Sequence, residues 1–327
     1  MTLLPETPAI LEVRRAVRGW LARHAPAGTV VVALSGGADS LALTAATVAE
    51  AAAVRALVVD HRLQAGSGEV AAAAAARALA LGCAAADVVG VDVTGTGGLE
   101  AAARTARYAA LDTGRDGRPV LLGHTLDDQA ETVLLGLARG SGSRSIRGMA
   151  DYTAPWGRPL LGVRRSVTRQ ACRELGLAPH EDPHNADPSF TRVRLRTEVL
   201  PLLEDVLGGG VASALGRTAR QLREDGDVLD ALAGQAYAAA RVGDGGPGEL
   251  AVERLHEIPV AVRRRVLRSW LLDCGAKALT DKQLRSVDDL VGRWHGQGGV
   301  AVGGGRPGVR LVASRRRGRL STGFVND

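Results

Sequence analysis

Six consecutive residues, Ser35, Gly36, Gly37, Ala38, Asp39 and Ser40, carry the clearest chemical purpose in this chain. They follow an apolar, β-branched run at 30–34 and precede a segment expected to be helical over 41–50. That places them between the end of a buried strand and a helix N-terminus. Backbone N–H groups lack partners there and the helix dipole favours an anion. Gly36 and Gly37 let the main chain approach phosphates, and Ser35 and Ser40 add hydroxyl donors. Asp39 does not suit a bare phosphate site, because a carboxylate and a polyphosphate repel unless a cation separates them. Its type points to a magnesium ligand. A Walker A loop is excluded, since it ends in Gly-Lys-Ser/Thr and the chain's lysines are Lys277 and Lys282.

A second group lies in HTLDDQAETVLLGLARGSG, residues 124–142. Asp127 and Glu131 are four apart and Asp128 and Glu131 three apart, so all three share one side of a helix. Carboxylates this close need a positive partner, a metal or a cationic substrate. Thr125 and Asp128 also have capping-box spacing, and acids suit a first helical turn. Capping leaves Glu131 and Arg139 unexplained. A third group is HEDPHNADPSFTRVRLRTEVLPLL, residues 180–203. Arg192 and Arg196 are four apart, with Arg194 between them, and on a helix they form a basic ridge suited to phosphates. His180 and His184 have metal-like spacing, but Pro183 breaks the helix that would align them. No cysteine lies closer than Cys172, which excludes zinc there.

These groups need a scaffold, and the sequence has the rhythm of one. Apolar runs at 30–34, 54–60, 88–93 and 119–123 alternate with helical patterns at 69–81 and 100–111, after an amphipathic helix over 8–24. The expected fold is α/β, a doubly wound parallel sheet whose ligands sit at the carboxyl ends of strands. Asp39, His61, Gly123 and His124 all fall at such ends. Arg104 and Arg107 lie on the helix at 100–111. From 205 onward the texture changes: glycine runs at 208–210 and 244–248 punctuate helices over 260–274 and 280–294. The end, 300–320, reads as two short strands about a glycine turn. Two domains are expected, 1–204 with a helical extension over about 165–204, and a small, mainly helical 205–327.

The net charge is +6 over 327 residues and nearly all the positive charge is arginine, which suits a polyanion. Cys83, Cys172 and Cys274 are far apart and odd in number, so they form no disulfide framework and indicate a reducing compartment. The N-terminus lacks a signal-peptide pattern, and no apolar run reaches the roughly 18 residues of a membrane span. A cytoplasmic enzyme with no membrane partner is expected.

The S-G-G-x-D-S pattern of 35–40 resembles the PP-loop of N-type ATP pyrophosphatases, with their adenine nucleotide alpha hydrolase-like fold. HT-x-DDQAET with RGSG and GM after it is similar to the tRNA(Ile)-lysidine synthetases. In the third group Asp182, Asn185, Asp187, Phe190, Arg192 and Arg196 match that family's pattern. Val193 stands where the family usually has Asn, and Ser145 where Gly is usual. The resemblance implies ATP and Mg2+, L-lysine, and a tRNA(Ile) with a CAU anticodon as partners, and it leaves a homodimer open. It implies that the wobble cytidine is adenylated with loss of diphosphate and then receives lysine, releasing AMP. Under it, residues 35–40, His61, Gly123 and His124 bind ATP. Asp39, Arg104 or Arg107, Asp127, Asp128 and Glu131 serve catalysis, with metal at Asp39 and Asp128. Arg139, Arg192, Arg194 and Arg196 meet tRNA. Another PP-loop tRNA ligase or a thiolase is the alternative; the thiolases need a nucleophilic cysteine.

Overall fold

A computed structural model describes residues 4–64, 66–94, 98–140, 142–182, 187–243, 248–306 and 308–326. Pro183, His184 and Asn185, and most of the glycine run at 244–248, lie outside the described residues. The chain divides into two units, Met1–Arg220 and Gln221–Asp327.

The first unit opens with α1 (Pro8–His24), where Thr7 accepts the Ile10 amide and Pro8 occupies the first turn. Its buried stripe is Ile10, Val13, Val17, Trp20 and Leu21. Then follow β1 (Thr29–Ala33), α2 (Ala38–Glu50), β2 (Ala53–Asp60), α3 (Ser67–Leu81), β3 (Ala85–Gly90), α4 (Leu99–Gly114) and β4 (Val120–Leu121). After α5 (Leu126–Ala138) and α6 (Ser143–Ile146) come β5 (Tyr152–Thr153), β6 (Trp156–Gly157) and α7 (Arg165–Glu174). The sheet runs β3-β2-β1-β4-β6-β5, parallel except for β5. From β1 the chain winds outward to β2 and β3, then crosses back to β4 on the other side. The order therefore reverses at β1/β4, and the crevice this opens at the strand ends is where such sheets bind ligands.

Side chains of β1 and β2 divide between two covered faces. Val30, Val32, Val54, Ala56 and Val58 join the cluster containing residues of α1, α2 and α7. Val31 and Leu57 join Leu111 of α4 with Val120 and Leu122. Burial on both sides explains why these strands read as unbroken apolar runs. The third strand starts at Ala85, three residues before the position expected, because its register with β2 runs from Ala85 opposite Arg55 to Gly90 opposite Asp60. Small alanines there resemble a helix tail in sequence. The helix after the phosphate loop also starts early, at Ala38, since Gly37 is its N-cap in extended conformation. Asp39 and Ser40 thus lie in a helical first turn and not at a loop tip.

Beyond α7 come α8 (Thr191–Arg194), a π-helical turn (Leu195–Val199), α9 (Leu200–Val206) and α10 (Val211–Ala240). The π turn ends two residues before Pro201, whose missing N–H cannot continue the α pattern.

The second unit begins within α10 and holds β7 (Arg241–Val242), β8 (Glu249–Ala251), α11 (Val252–His256), α12 (Val260–Asp273), α13 (Asp281–Gly292), β9 (Val300–Arg306), β10 (Val309–Arg316) and β11 (Arg319–Asn326). The two strands expected at its end, β9 and β10, belong to a five-stranded antiparallel sheet ordered β7-β8-β11-β10-β9. The unit therefore sets a five-stranded sheet against its helices, where two strands were expected. Leu250, Leu311, Ala313 and Leu320 of the sheet share a core with Leu267, Trp270, Val287 and Leu290. Strands β7 and β8, of two and three residues, are too short to display a period of two, which is why the sequence hid them. No single helix among the described residues is long and apolar enough to cross a membrane.

Candidate active site

The phosphate loop closes on itself through Ser40, whose hydroxyl donates to the Gly37 carbonyl at 2.9 Å and accepts the Ser35 amide at 3.2 Å. Gly36 turns with φ of +82°. No side chain caps α2, so its first-turn amides face the crevice with a donor surplus. Gly123, just after β4, is pressed against this turn: a Cβ there would lie 3.1 Å from the Asp39 carbonyl carbon and the Ser40 nitrogen. A side chain there would press this backbone by a few tenths of an ångström.

A cavity of about 420 Å³ opens beside the loop, lined by Ser35, Gly37, Leu57, His61, Arg107 and His180. Its size falls in the range that small-molecule ligands take. His61 Nδ1, Arg107 Nε and His124 Nδ1 are buried without a hydrogen-bond partner among the described residues. Two of these residues, His61 and Arg107, line the cavity, and orphaned polar atoms there fit a polar ligand that completes them. Burial, with Arg107 nearby, lowers the His61 imidazole, and burial pushes His124 down to about 4. Both rings are neutral near pH 7. Of the two α4 arginines, Arg107 lines the cavity, while exposed Arg104 lies 5.0 Å over the Tyr108 ring.

The acids of α5 gather around a residue the sequence reading missed. Arg165, the first residue of α7, donates from Nη2 to Asp128 at 2.5 Å, from Nη1 to Glu131 at 3.3 Å and from Nε to Asp39 at 3.3 Å. Its backbone amide donates to Asp127 at 2.7 Å. Thr168, one turn on, donates its hydroxyl to Asp39. Arg164 pairs with Asp127 at 3.1 Å and Glu204 at 3.3 Å. Arg196 pairs with Glu131 at 2.9 Å and Asp128 at 3.7 Å. The positive partner demanded by three close carboxylates is therefore arginine. Arg164 and Arg165 had one legible signal, since cations at the start of a helix oppose its dipole and need acids to hold them; Thr168 and Glu204 had none.

The capping box is present as well. Thr125 and Asp128 exchange bonds at the start of α5, with the Thr125 amide 2.8 Å from Asp128. Asp128 thus both caps the helix and meets Arg165. Burial would raise its carboxyl, but Arg165 and Thr125 overcome this and hold it below the ordinary range. Asp39 goes the other way: burial raises its carboxyl more than Thr168 and Arg165 lower it. Burial would lower the Arg165 guanidinium, yet the surrounding carboxylates hold it above its ordinary value. Glu131 is 0% exposed and both its oxygens are taken by guanidiniums.

The basic ridge is corrected in turn. The π turn interrupts the four-residue spacing, so exposed Arg192 and inward-turned Arg196 do not share a face. Arg194 is exposed and pairs with Glu198 at 2.9 Å. Arg139 is exposed at the end of α5.

A parallel sheet with a Ser-Gly-Gly loop at its switch point defines a PP-loop protein, and the family described as "PP-loop domain" matches residues 11–203. A second family, "TilS substrate binding domain", matches residues 250–321. The chain is 71% identical to the tRNA(Ile)-lysidine synthase of Rhodococcus opacus, with 98% of each chain covered. It is 62% identical to that of Mycobacterium tuberculosis, covering 88% of this chain and 89% of the relative. Among solved structures, the U34-tRNA thiolase NcsA of Methanococcus maripaludis aligns over 66% of this chain and 80% of its own, with a TM-score of 0.55. At 20% identity that likeness shows a shared fold. The chain belongs to the tRNA(Ile)-lysidine synthase family.

Proposed function

We propose that the protein joins L-lysine to C2 of the wobble cytidine in a tRNA(Ile) with a CAU anticodon, using ATP and magnesium in the cytoplasm. The observation that carries this reading is Asp39, which belongs at once to the phosphate loop and to the acid–arginine cluster. The cytosine O2 attacks the α-phosphorus and diphosphate leaves. The lysine ε-amine, deprotonated, then attacks C2, and the former O2 departs with AMP.

Ser35, Ser40 and the α2 amides hold the departing diphosphate, and Arg107 faces the phosphates from the cavity wall. Asp39 and Asp128 are hard oxygen donors sharing one guanidinium, which suits magnesium. Among the described residues no group of three or more His, Cys, Asp or Glu side chains is placed to hold a metal, so Asp39 and Asp128 would be its protein ligands. Magnesium bound there supplies charge neutralisation during the displacement. A smaller pocket of about 120 Å³ is lined by Asp127, Arg164, Arg165, Arg196 and Glu204. Charges of both signs in one small pocket suit a zwitterionic amino acid. Asp127 lines this pocket and its side chain is 17% exposed against 1% for Glu131, which makes it the more accessible carboxylate to take the ammonium proton. Exposed Arg139, Arg192 and Arg194 reach tRNA phosphates. With 3% aromatic residues, the flipped cytosine is held by arginine and backbone more than by stacked rings.

The rival thiolase chemistry needs a reactive cysteine. Burial pushes the Cys83 and Cys172 thiols up to about 11, which disfavours the nucleophilic thiolate. The deciding experiment measures diphosphate release over many turnovers, with lysine and tRNA each omitted in turn. Sustained release that requires both, with lysidine in the digested tRNA, supports the reading. Sustained turnover indifferent to lysine, or sulfur incorporation, overturns it.

A further inference from the structure

We propose that Arg165 is the positioning residue that unites the ATP step and the lysine step, by holding Asp39 of α2 and Asp128 and Glu131 of α5 on one guanidinium. The inference rests on the reading of the site given above. Three different nitrogens of Arg165 go to three different carboxylates, on two helices that the chain separates by nearly ninety residues. An ordinary ion pair would use the guanidinium fork on one carboxylate. The side chain is 14% exposed, so water screens these contacts little.

The location strengthens the assignment. A cation on the first residue of α7 opposes the helix dipole, and its four acidic neighbours offset that cost. Its own amide is used too, on Asp127, so one residue contacts all four of Asp39, Asp127, Asp128 and Glu131. Lysine could not substitute. A point charge on a flexible stem lacks the planar spread that meets three carboxylates from three directions.

The same contacts set the charge of the site. Among the described residues, the ion-paired network joins Arg164, Arg165 and Arg196 to Asp39, Asp127, Asp128, Glu131 and Glu204. Three guanidiniums face five carboxylates, which leaves room for a divalent cation without overcharging the site. Removing Arg165 makes the network more negative and frees oxygens of Asp39 and Asp128 for a cation, while α2 and α5 lose the contact that registers them for catalysis. Metal affinity and turnover should then move in opposite directions, which loss of stability alone does not produce.

The test compares Arg165→Gln, Arg165→Lys and the charge-compensated double variant Arg165→Gln/Glu131→Gln, each checked for folding by circular dichroism. Mn2+ affinity of the free protein is read by the magnetic resonance signal of unbound metal, and diphosphate release is measured separately. Arg165→Gln should bind Mn2+ about tenfold tighter while diphosphate release falls about a hundredfold. Arg165→Lys should keep Mn2+ affinity within about twofold of the parent, yet release diphosphate at least about tenfold more slowly. If Arg165→Gln does not fold, the double variant decides the matter: parental Mn2+ affinity with slow release supports the proposal. A folded Arg165→Gln that binds Mn2+ no tighter than the parent overturns it, as does parental turnover in Arg165→Lys or in the double variant. If the parent protein itself needs neither lysine nor tRNA for diphosphate release, the functional reading fails, while the Mn2+ comparison still judges Arg165.

Discussion

The phosphate loop and the acid–arginine cluster collect charge at the same edge of one sheet, by opposite means. The loop uses backbone: its donors are amides of consecutive residues, oriented by Gly36, Gly37 and the start of α2. The cluster uses side chains drawn from α2, α5, α7, the π turn and α9, spanning Asp39 to Glu204. Backbone dipoles are fixed when the helix forms and survive substitution of most side chains. An ion-pair network depends on every member, because each partner removed leaves another buried charge uncompensated. The loop should therefore be fragile in catalysis and robust in folding, and the cluster fragile in both.

The largest effect is expected at the junction of the two. Asp39→Asn should reduce diphosphate release about a thousandfold, because the charge facing the polyphosphate and its metal is lost. Its melting temperature should hold, since burial already disfavours the charged form and Asn can still accept from Thr168. A large drop in melting temperature with activity retained would place Asp39 with the cluster and not with the loop. Glu131→Gln tests the cluster itself. With its two guanidinium partners left short of charge, urea unfolding should show a loss of about 3 kcal/mol. A loss below about 1 kcal/mol would mean that the network tolerates gaps.

His124 provides a contrast in pH. Its folded value of about 4 lies below its ordinary 6.5, so the stability it contributes is complete above 6.5 and is lost as pH falls toward about 4. Between about pH 7 and about pH 5 the protein should lose about 2 kcal/mol through this group. Denaturant titrations of His124→Gln should be flatter over that interval, and an unchanged slope would show that the ring protonates without penalty. The smallest effects belong to the exposed arginines. Arg192→Gln and Arg194→Gln should each lower the salt slope of tRNA binding by about one and leave ATP affinity alone. Arg196→Gln should act differently, weakening the cluster because its charge is turned inward to Glu131.

Much of this molecule was legible in the chain. Residues 30–50 declare a strand, a glycine turn and a helix, though not that the helix begins at Ala38, because each depends on local propensity and on backbone conformations that neighbouring residues control. Burial on both faces wrote β1 and β2 as apolar runs, and Thr125 with Asp128 announced a cap that the structure contains. Tertiary structure alone decided what the acids of α5 meet. Arg165 and Arg196 lie 34 and 65 positions from Glu131, and no periodicity links them. It also decided that Arg192 and Arg196 part company, since a π turn before Pro201 changes the helical step. Strand pairing in the second unit was hidden for the same reason: β8 meets β11 across some seventy residues, at Leu250 and Leu320. Local geometry is written in consecutive residues, whereas long-range ion pairs and sheet partners exist only once the chain has closed its loops and brought distant side chains within reach.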